Sequence, residues 1–139
     1  MIINLKGLDI NYIIEGEGSP IIVLHGWGCN IETVRSIINI LNKRYQVYAL
    51  DLPGFGSSEE PKDAIDSFEY TEIVKEFMNK MNIHKATFIG HSFGGKLSII
   101  MASKYPERVD KIVLIDSAGL IPKRGAKYYL KVYSFKALR

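Results

Sequence analysis

The sequence has few of the residues that stabilise extracellular, membrane or fibrous proteins. It contains one cysteine and five prolines among 139 residues. Cys29 alone cannot form an internal disulfide, so we expect a reducing compartment, namely the cytoplasm. No apolar run approaches the roughly 18 residues of a membrane span, and the first residues lack the pattern of a secretion signal. The composition therefore predicts an ordinary globular domain without a membrane-spanning segment.

Acidic residues are missing from the end of the chain, since none follows Pro122. The net charge of +3 arises from 18 basic and 15 acidic residues, and six of the basic residues lie beyond Pro122. Residues 1–122 thus carry 12 basic and 15 acidic residues, a net charge of −3. A mainly acidic body argues against a nucleic-acid-binding domain, whose basic surface lies on the fold itself. We interpret the basic tail as a solvated helix face, with a membrane or polyanion contact as the alternative.

Strand-like and helix-like segments alternate along most of the chain. Short apolar runs predict strands at residues 2–5, 10–14, 20–24, 45–50, 85–89 and 109–115. Helical spacing of apolar residues predicts helices at 30–42, 68–81 and 94–104, and the polar stretch 51–66 predicts a loop. Parallel neighbouring strands need long crossovers, which are normally helical. The alternation therefore predicts an α/β fold, a mostly parallel sheet with helices on both faces.

The motif Gly-His-Ser-Phe-Gly-Gly at residues 90–95 lies between a predicted strand and a predicted helix. A tight strand-to-helix turn strains its middle residue and leaves almost no space for side chains at the flanking positions. Glycines at 90 and 94 satisfy this steric demand. The pattern predicts that Ser92 is a nucleophile exposed at the carboxyl end of the sheet. A flexible glycine turn with an incidental serine is the alternative.

Two further motifs follow earlier predicted strands. His-Gly-Trp-Gly occupies residues 25–28, and a glycine-rich turn at a strand end can present a backbone N–H to an oxyanion. Asp-Leu-Pro-Gly-Phe-Gly-Ser-Ser occupies residues 51–58. In such a turn an aspartate bonds to nearby backbone N–H groups, so we predict a structural role for Asp51 rather than a catalytic one.

In order and spacing the three motifs resemble those of the α/β-hydrolase superfamily, and the resemblance covers residues 1 to about 119. It implies a nucleophile elbow at 90–95, an acyl-enzyme on Ser92, and an oxyanion hole formed by the N–H groups of Trp27 and Phe93. The combination looks most like serine carboxylesterases. Serine rather than aspartate at position 92 argues against the dehalogenase and epoxide-hydrolase branches. Lactonases, carbon-carbon bond hydrolases and cofactor-free haloperoxidases remain alternatives.

The resemblance also implies a small-molecule ester substrate, with no metal and no cofactor. A catalytic histidine, however, is missing where the superfamily has it. The superfamily's order along the chain is serine, acid, histidine, whereas His25, His84 and His91 all precede Ser92. Asp116, after the strand at 109–115, is a possible acid, and a structural loop role is the preferred interpretation.

We therefore hypothesise that residues 1–119 are the amino-terminal part of a hydrolase core and that residues 120–139 begin its cap or lid. By itself such a fragment is expected to be inactive. A function of another class is a non-catalytic binding or assembly protein that keeps the fold. In either case the strand at 109–115 is predicted to be a bare sheet edge, which favours pairing with a second copy or with a carboxyl-terminal half.

Overall fold

A computed structural model describes residues 1–120, 125–128 and 133–134. Within these residues six strands form one sheet, in the spatial order β1-β2-β4-β3-β5-β6. The strands are β1 (Ile2–Leu5), β2 (Leu8–Glu15), β3 (Pro20–Leu24), β4 (Gln46–Leu50), β5 (Ala86–His91) and β6 (Val109–Ile115). The helices are α1 (Arg35–Leu41), α2 (Ser67–Lys80) and α3 (Phe93–Lys104), with short 3₁₀ turns at Ile31–Val34 and Pro106–Arg108.

The central and far strands of the sheet are parallel. Strand β3 pairs in parallel with both β4 and β5, and β5 pairs in parallel with β6. Only the opening part is antiparallel, where β1 pairs with β2 and β2 with β4. The crossovers between parallel strands contain α1, α2 and α3 in turn. The predicted mostly parallel α/β fold is confirmed.

Apolar side chains cover both faces of the sheet, and β3 shows why its sequence is continuously apolar. Ile22 and Leu24 pack into the core that contains α2 and α3. Ile21 and Val23 point to the opposite face, into the core that contains α1. A strand covered on both faces needs apolar residues at every position, because successive side chains alternate between the faces. Helices therefore lie on both faces, as predicted.

The helix predicted at 30–42 begins differently from the expectation. Its first turn is the 3₁₀ turn Ile31–Val34, capped by Asn30, and α1 starts only at Arg35. The backbone of Val34 is not helical, with φ −109° and ψ 10°. The Ile31 N–H donates to the Asp51 carboxylate at 2.8 Å, which ties this turn to another loop. Tertiary contact thus overrides the helical spacing. The helix expected near the carboxyl terminus lies mostly outside the described residues, of which 126–128 and 133–134 are helical.

Strand β6 forms the outer edge of the sheet in the described part of the chain. It pairs with β5 on one side, and Ile112 and Val113 are 37% and 46% exposed. This placement agrees with the expected bare edge. In the same part of the chain, no helix combines the length and the apolarity that crossing a bilayer requires.

The start of α2 gives a test of local stability. The Asp66 carboxylate accepts hydrogen bonds from the N–H groups of Phe68 and Glu69, and the Glu69 carboxylate accepts one from the Asp66 N–H. We expect Asp66→Ala to lower the free energy of unfolding by about 1 kcal/mol, because two N–H groups lose their acceptor. Urea denaturation followed by circular dichroism measures this change. Asp63→Ala, at an exposed loop position, is the matched control, and an equal loss there would contradict the prediction.

Candidate active site

Ser92 occupies a strained turn between β5 and α3. Its backbone has φ 49° and ψ −108°, a region that a residue with a side chain rarely adopts. Such strain costs about 1–3 kcal/mol and persists only where the surrounding structure imposes it. Here the Ser92 N–H donates to the Ile115 carbonyl at 2.9 Å, and the Ser92 carbonyl accepts from the Ala118 N–H at 3.0 Å. The segment after β6 therefore holds the turn from both sides.

The glycines of the turn are required by backbone contacts. A Cβ atom on Gly90 would overlap the Gly94 carbonyl, and one on Gly94 would overlap the Leu24 carbonyl at the end of β3. A Cβ atom on Gly95 would overlap the Ser117 side chain. The predicted steric demand at positions 90 and 94 is thus present, and position 95 shares it. The helix α3 can start this close to β3 only because these side chains are absent.

The glycine-rich turn after β3 lies directly beside Ser92. A Cβ atom built on Gly26 would be 3.4 Å from the Ser92 Cβ and 3.0 Å from the His91 Nδ1. The Gly94 N–H donates to the His25 carbonyl at 3.1 Å, which bonds the two turns to each other. The structure therefore brings together the two motifs that the sequence places 65 residues apart, at positions 26 and 91.

The two expected oxyanion donors stand on these turns. Trp27 follows Gly26, and Phe93 is the first residue of α3. Neither backbone N–H has an acceptor among residues 1–120, 125–128 and 133–134. The first N–H groups of a helix have no partner within the helix, and the helix dipole adds partial positive charge at that end. Two unbonded N–H groups beside a serine hydroxyl can donate to a developing negative charge.

His25 is a structural residue of the turn. Its ring is fully buried, Nε2 accepts from the Leu52 N–H at 2.9 Å, and Nδ1 lies 2.8 Å from the Gly26 carbonyl. Because Nε2 accepts a hydrogen bond, the proton of the neutral ring is on Nδ1 and is donated to Gly26. Burial lowers the pKa of His25 and outweighs the raising effect of that bond. The ring is therefore neutral and has no free nitrogen for base catalysis.

The Asp51 carboxylate accepts three hydrogen bonds from different parts of the chain. It accepts from the N–H groups of Ile31 and Ser57 and from the Asn11 side chain, at 2.8–2.9 Å. The side chain is 3% exposed. A carboxylate with this set of donors fixes the loop 51–58 against β2 and the turn before α1. The predicted structural role of Asp51 agrees with this geometry.

The remaining histidines do not supply a base for Ser92. His84 precedes β5 and its carbonyl accepts from Arg108, so it lies at the opposite, amino end of that strand. His91 is the last residue of β5 and its ring packs against Gly26. Asp116 directly follows β6, is exposed, and has φ 45°. The structure brings Asp116 to the same end of the sheet as Ser92, and no histidine ring of the described residues is hydrogen-bonded to either of them.

A group of aromatic rings beside the site has no signature in the sequence. The Trp27 ring packs edge to face against Phe55, Tyr70 and Phe93, with centroids 4.9, 6.3 and 5.2 Å away. Tyr70 lies on α2, where helical spacing marks it only as a core residue. The Tyr70 hydroxyl donates to the Pro53 carbonyl, and burial raises the pKa of that phenol. These rings attach the glycine-rich turn after β3 to the loop after β4. No group of three or more potential metal-ligating side chains occurs in the described part of the chain.

Comparison with known proteins gives consistent matches. The profile of the alpha/beta hydrolase fold family matches residues 19–134. The chain is 39% identical over 104 residues to abhydrolase domain-containing protein abhd-5.2 of Caenorhabditis elegans, covering 72% of this chain and 23% of that protein. It is 33% identical over 128 residues to the 2-hydroxy-6-oxo-6-(2'-aminophenyl)hexa-2,4-dienoic acid hydrolase of Metapseudomonas resinovorans, covering 86% of this chain and 42% of that enzyme.

Solved structures agree with the sequence matches. A membrane phospholipase A that is a bacterial virulence factor superimposes with a TM-score of 0.85 and 29% identity, over 97% of this chain and 44% of that one. The chain thus spans less than half of the length of each of these three proteins.

The contact between α3 and β3 can be tested with one methyl group. We expect Gly94→Ala to destabilise the protein by several kcal/mol or to prevent folding, because the new Cβ overlaps the Leu24 carbonyl and both partners are backbone. Gly125→Ala is the matched control, since no atom of residues 1–120, 125–128 and 133–134 outside its own neighbours lies within 4 Å of its new Cβ. Thermal unfolding compares the two variants. A Gly94→Ala protein as stable as the control would disprove the close approach.

Burial of neutral His25 predicts a pH dependence of stability. The pKa is lowered in the folded protein relative to the 6.5 of the unfolded chain, so below pH 6.5 the unfolded chain binds more protons. This stabilisation is complete above that pH and is lost as the pH falls. We expect His25→Gln to flatten the dependence of the free energy of unfolding on pH between about 5.5 and about 7.5. Equal slopes in the wild-type and His25→Gln proteins would refute the assignment.

Proposed function

Since the chain belongs to the α/β-hydrolase fold family, we propose that the complete protein is a serine hydrolase that cleaves an ester or a similar acyl bond. The observation that carries this proposal is the bonded pair of turns. Ser92 is held in a strained conformation beside Gly26, and the two turns share the hydrogen bond from Gly94 to His25. This arrangement supports Ser92 as the proposed nucleophile and the N–H groups of Trp27 and Phe93 as its proposed oxyanion donors.

In the proposed reaction the Ser92 Oγ attacks the carbonyl carbon of the substrate and gives its proton to a base. The carbonyl oxygen becomes an oxyanion that accepts hydrogen bonds from the N–H groups of Trp27 and Phe93. Loss of such a donor typically lowers the rate by about 10² to 10³. Collapse of the intermediate breaks the bond to the leaving group, which takes the proton from the base. Water then hydrolyses the acyl-enzyme by the reverse sequence of proton transfers.

The base for this reaction is proposed to come from outside residues 1–139. No histidine follows Ser92 in the sequence, and His25 has both ring nitrogens occupied. Asp116 is the proposed acid that would orient the incoming imidazole, because it follows β6 at the end of the sheet where Ser92 lies. Residues 1–139 alone are accordingly expected to be a poor catalyst.

An ester is the proposed substrate. The known relatives leave other acyl bonds and carbon-carbon bonds as alternatives for the bond that is cleaved. The matched relatives include a dienoic acid hydrolase and a phospholipase A, which share the fold and differ in the bond that they act on. Serine at position 92 favours reactions that proceed through an acyl-enzyme. The region beyond residue 119 is the proposed start of the cap, which would shape the acyl pocket.

The missing base also favours a second candidate, a non-catalytic binding protein. All three histidines lie within the described residues, and no hydrogen bond joins any of their rings to Ser92 there. The exposed edge of β6 would then serve for pairing with a second copy or with a carboxyl-terminal half. The two candidate functions predict different effects of substituting Ser92. A serine hydrolase loses ester hydrolysis, whereas a binding protein has no ester hydrolysis to lose.

We expect the native gene product, purified from its source, to hydrolyse a p-nitrophenyl ester and Ser92→Ala to lower kcat/KM by at least about 10³. Ser103→Ala, an exposed serine on α3, is the matched control and should keep the wild-type rate. Residues 1–139 alone should not exceed a residual rate of about 10³ to 10⁴ over water.

Two results would contradict the proposal. Full esterase activity of the Ser92→Ala protein would exclude Ser92 as the nucleophile. Ordinary esterase rates from residues 1–139 alone would show that the base lies within these residues. Recovery of activity on adding a carboxyl-terminal half would support a base from outside.

A further inference from the structure

A cavity of about 410 Å³ lies beside the ring of Trp27, between the loop after β4 and the start of α2. Its volume falls in the range of small-molecule sites in proteins. The cavity is lined by the rings of Trp27, Phe55 and Tyr70 and by the charged residues Glu60, Lys62 and Asp63, together with proline, glycine, alanine and isoleucine. It therefore joins aromatic surface to charged groups.

The Trp27 ring packs edge to face against the other two rings and is not stacked on them. The ring plane of Trp27 makes an angle of 74° with that of Phe55 and 68° with that of Tyr70. Tyr70 is held by its hydroxyl bond to Pro53, so its position is fixed, while Trp27 is 64% exposed. Among the rings that line the cavity the Trp27 indole is the most exposed, and the π-electron density of an exposed indole attracts cations.

The charge around the cavity has the sign that a cation requires. Residues 51–66 contain five acidic residues and one lysine, so the loop has a net charge of −4. Two of the acids, Glu60 and Asp63, line the cavity, against Lys62 alone. Both acids are exposed, and neither has a hydrogen bond or ion pair within the described part of the chain. An anionic ligand would be repelled here, and an uncharged apolar ligand would not use the carboxylates.

We propose that this cavity binds a small organic cation, a ligand that carries an alkylated ammonium group such as trimethylammonium. The methyl groups of such a cation contact the rings of Trp27, Phe55 and Tyr70, and its charge is balanced by Glu60 and Asp63. An alkylated ammonium suits the site better than a metal ion, because a metal ion requires several oxygen ligands at short distance and would not use the rings.

Because the cavity adjoins the proposed active site, we infer that the bound cation is part of the substrate. This second step rests on the proposed function. Trp27 carries the proposed oxyanion donor in its backbone and a wall of the cavity in its side chain. A cation bound there is attached to the same residue that contacts the reacting carbonyl. The substrate class is therefore an acyl compound whose acyl or alcohol part carries the ammonium group.

Trp27 is the only tryptophan of the chain, so its fluorescence reports on the cavity directly. The probes are choline and its uncharged isostere 3,3-dimethylbutan-1-ol, which have the same shape and differ in charge. Titration of the full chain should give saturable changes in Trp27 fluorescence, with choline binding about tenfold more tightly than the alcohol. Sodium chloride should weaken the binding of choline and leave that of the alcohol unchanged, because the acids are exposed.

Variants separate the rings from the acids. Phe55→Leu removes one π face while keeping an apolar side chain, and should reduce the choline preference severalfold. The double variant Glu60→Gln/Asp63→Asn should do the same. Glu107→Gln/Asp110→Asn, an equal change at exposed positions near the opposite end of the sheet, is the matched control and should keep wild-type affinity. If Phe55→Leu fails to fold, the double variant of exposed residues still decides the question.

The binding test is independent of catalysis. Ser92→Ala should bind choline with unchanged affinity, so failure of the proposed hydrolase activity leaves this result standing. Equal affinity for choline and the alcohol would overturn the cation site, as would the absence of any saturable fluorescence change. With the native gene product, faster cleavage of a choline ester than of the 3,3-dimethylbutyl ester supports the extension to substrate, and equal rates overturn it.

Discussion

The structure around Ser92 depends on one steric constraint, the backbone-to-backbone approach of α3 to the end of β3. Gly94 has no space for a side chain because the Leu24 carbonyl lies against it. The same approach allows the Gly94 N–H to bond with the His25 carbonyl. Once α3 begins there, the chain must turn sharply after β5, and the strain falls on Ser92. The position of Ser92 and the geometry of the proposed oxyanion site therefore follow from a single close contact.

Two buried polar side chains hold the loops that complete this arrangement. His25 accepts from the loop after β4 and donates to its own turn, and Asp51 accepts from the Ile31 N–H, from the Ser57 N–H of its own loop and from the Asn11 side chain. Buried polar groups that are fully bonded fix a single loop geometry, since each lost bond leaves an unsatisfied group in the interior. The aromatic contacts of Trp27 add an apolar attachment on the outer side. These bonds fix the loops that follow β3 and β4 at the carboxyl end of the sheet.

This rigidity supports the proposed chemistry while leaving it incomplete. A nucleophile and N–H donors that are fixed before substrate arrives stabilise charge without reorganisation. Proton transfer in the proposed reaction needs an imidazole as well, and none of the three histidine rings of the chain is hydrogen-bonded to Ser92 in the described residues. The loop that lines the aromatic cavity is acidic, so the same end of the sheet combines the proposed oxyanion site with surroundings that favour a cation.

The sequence alone predicted the strand and helix order, the parallel sheet and the strained serine turn, because these depend on local periodicity or on the absence of a Cβ atom. It also predicted the structural use of Asp51, because an aspartate in such a turn bonds to nearby backbone N–H groups. It predicted β6 to the residue, at 109–115. Contacts between distant segments have no such signal. Only the tertiary structure decided that the helix expected at 30–42 begins as a 3₁₀ turn bonded to Asp51, and that Tyr70 and Phe55 join Trp27. These features arise from segments 20 to 43 residues apart, whose meeting is determined by the packing of the whole sheet.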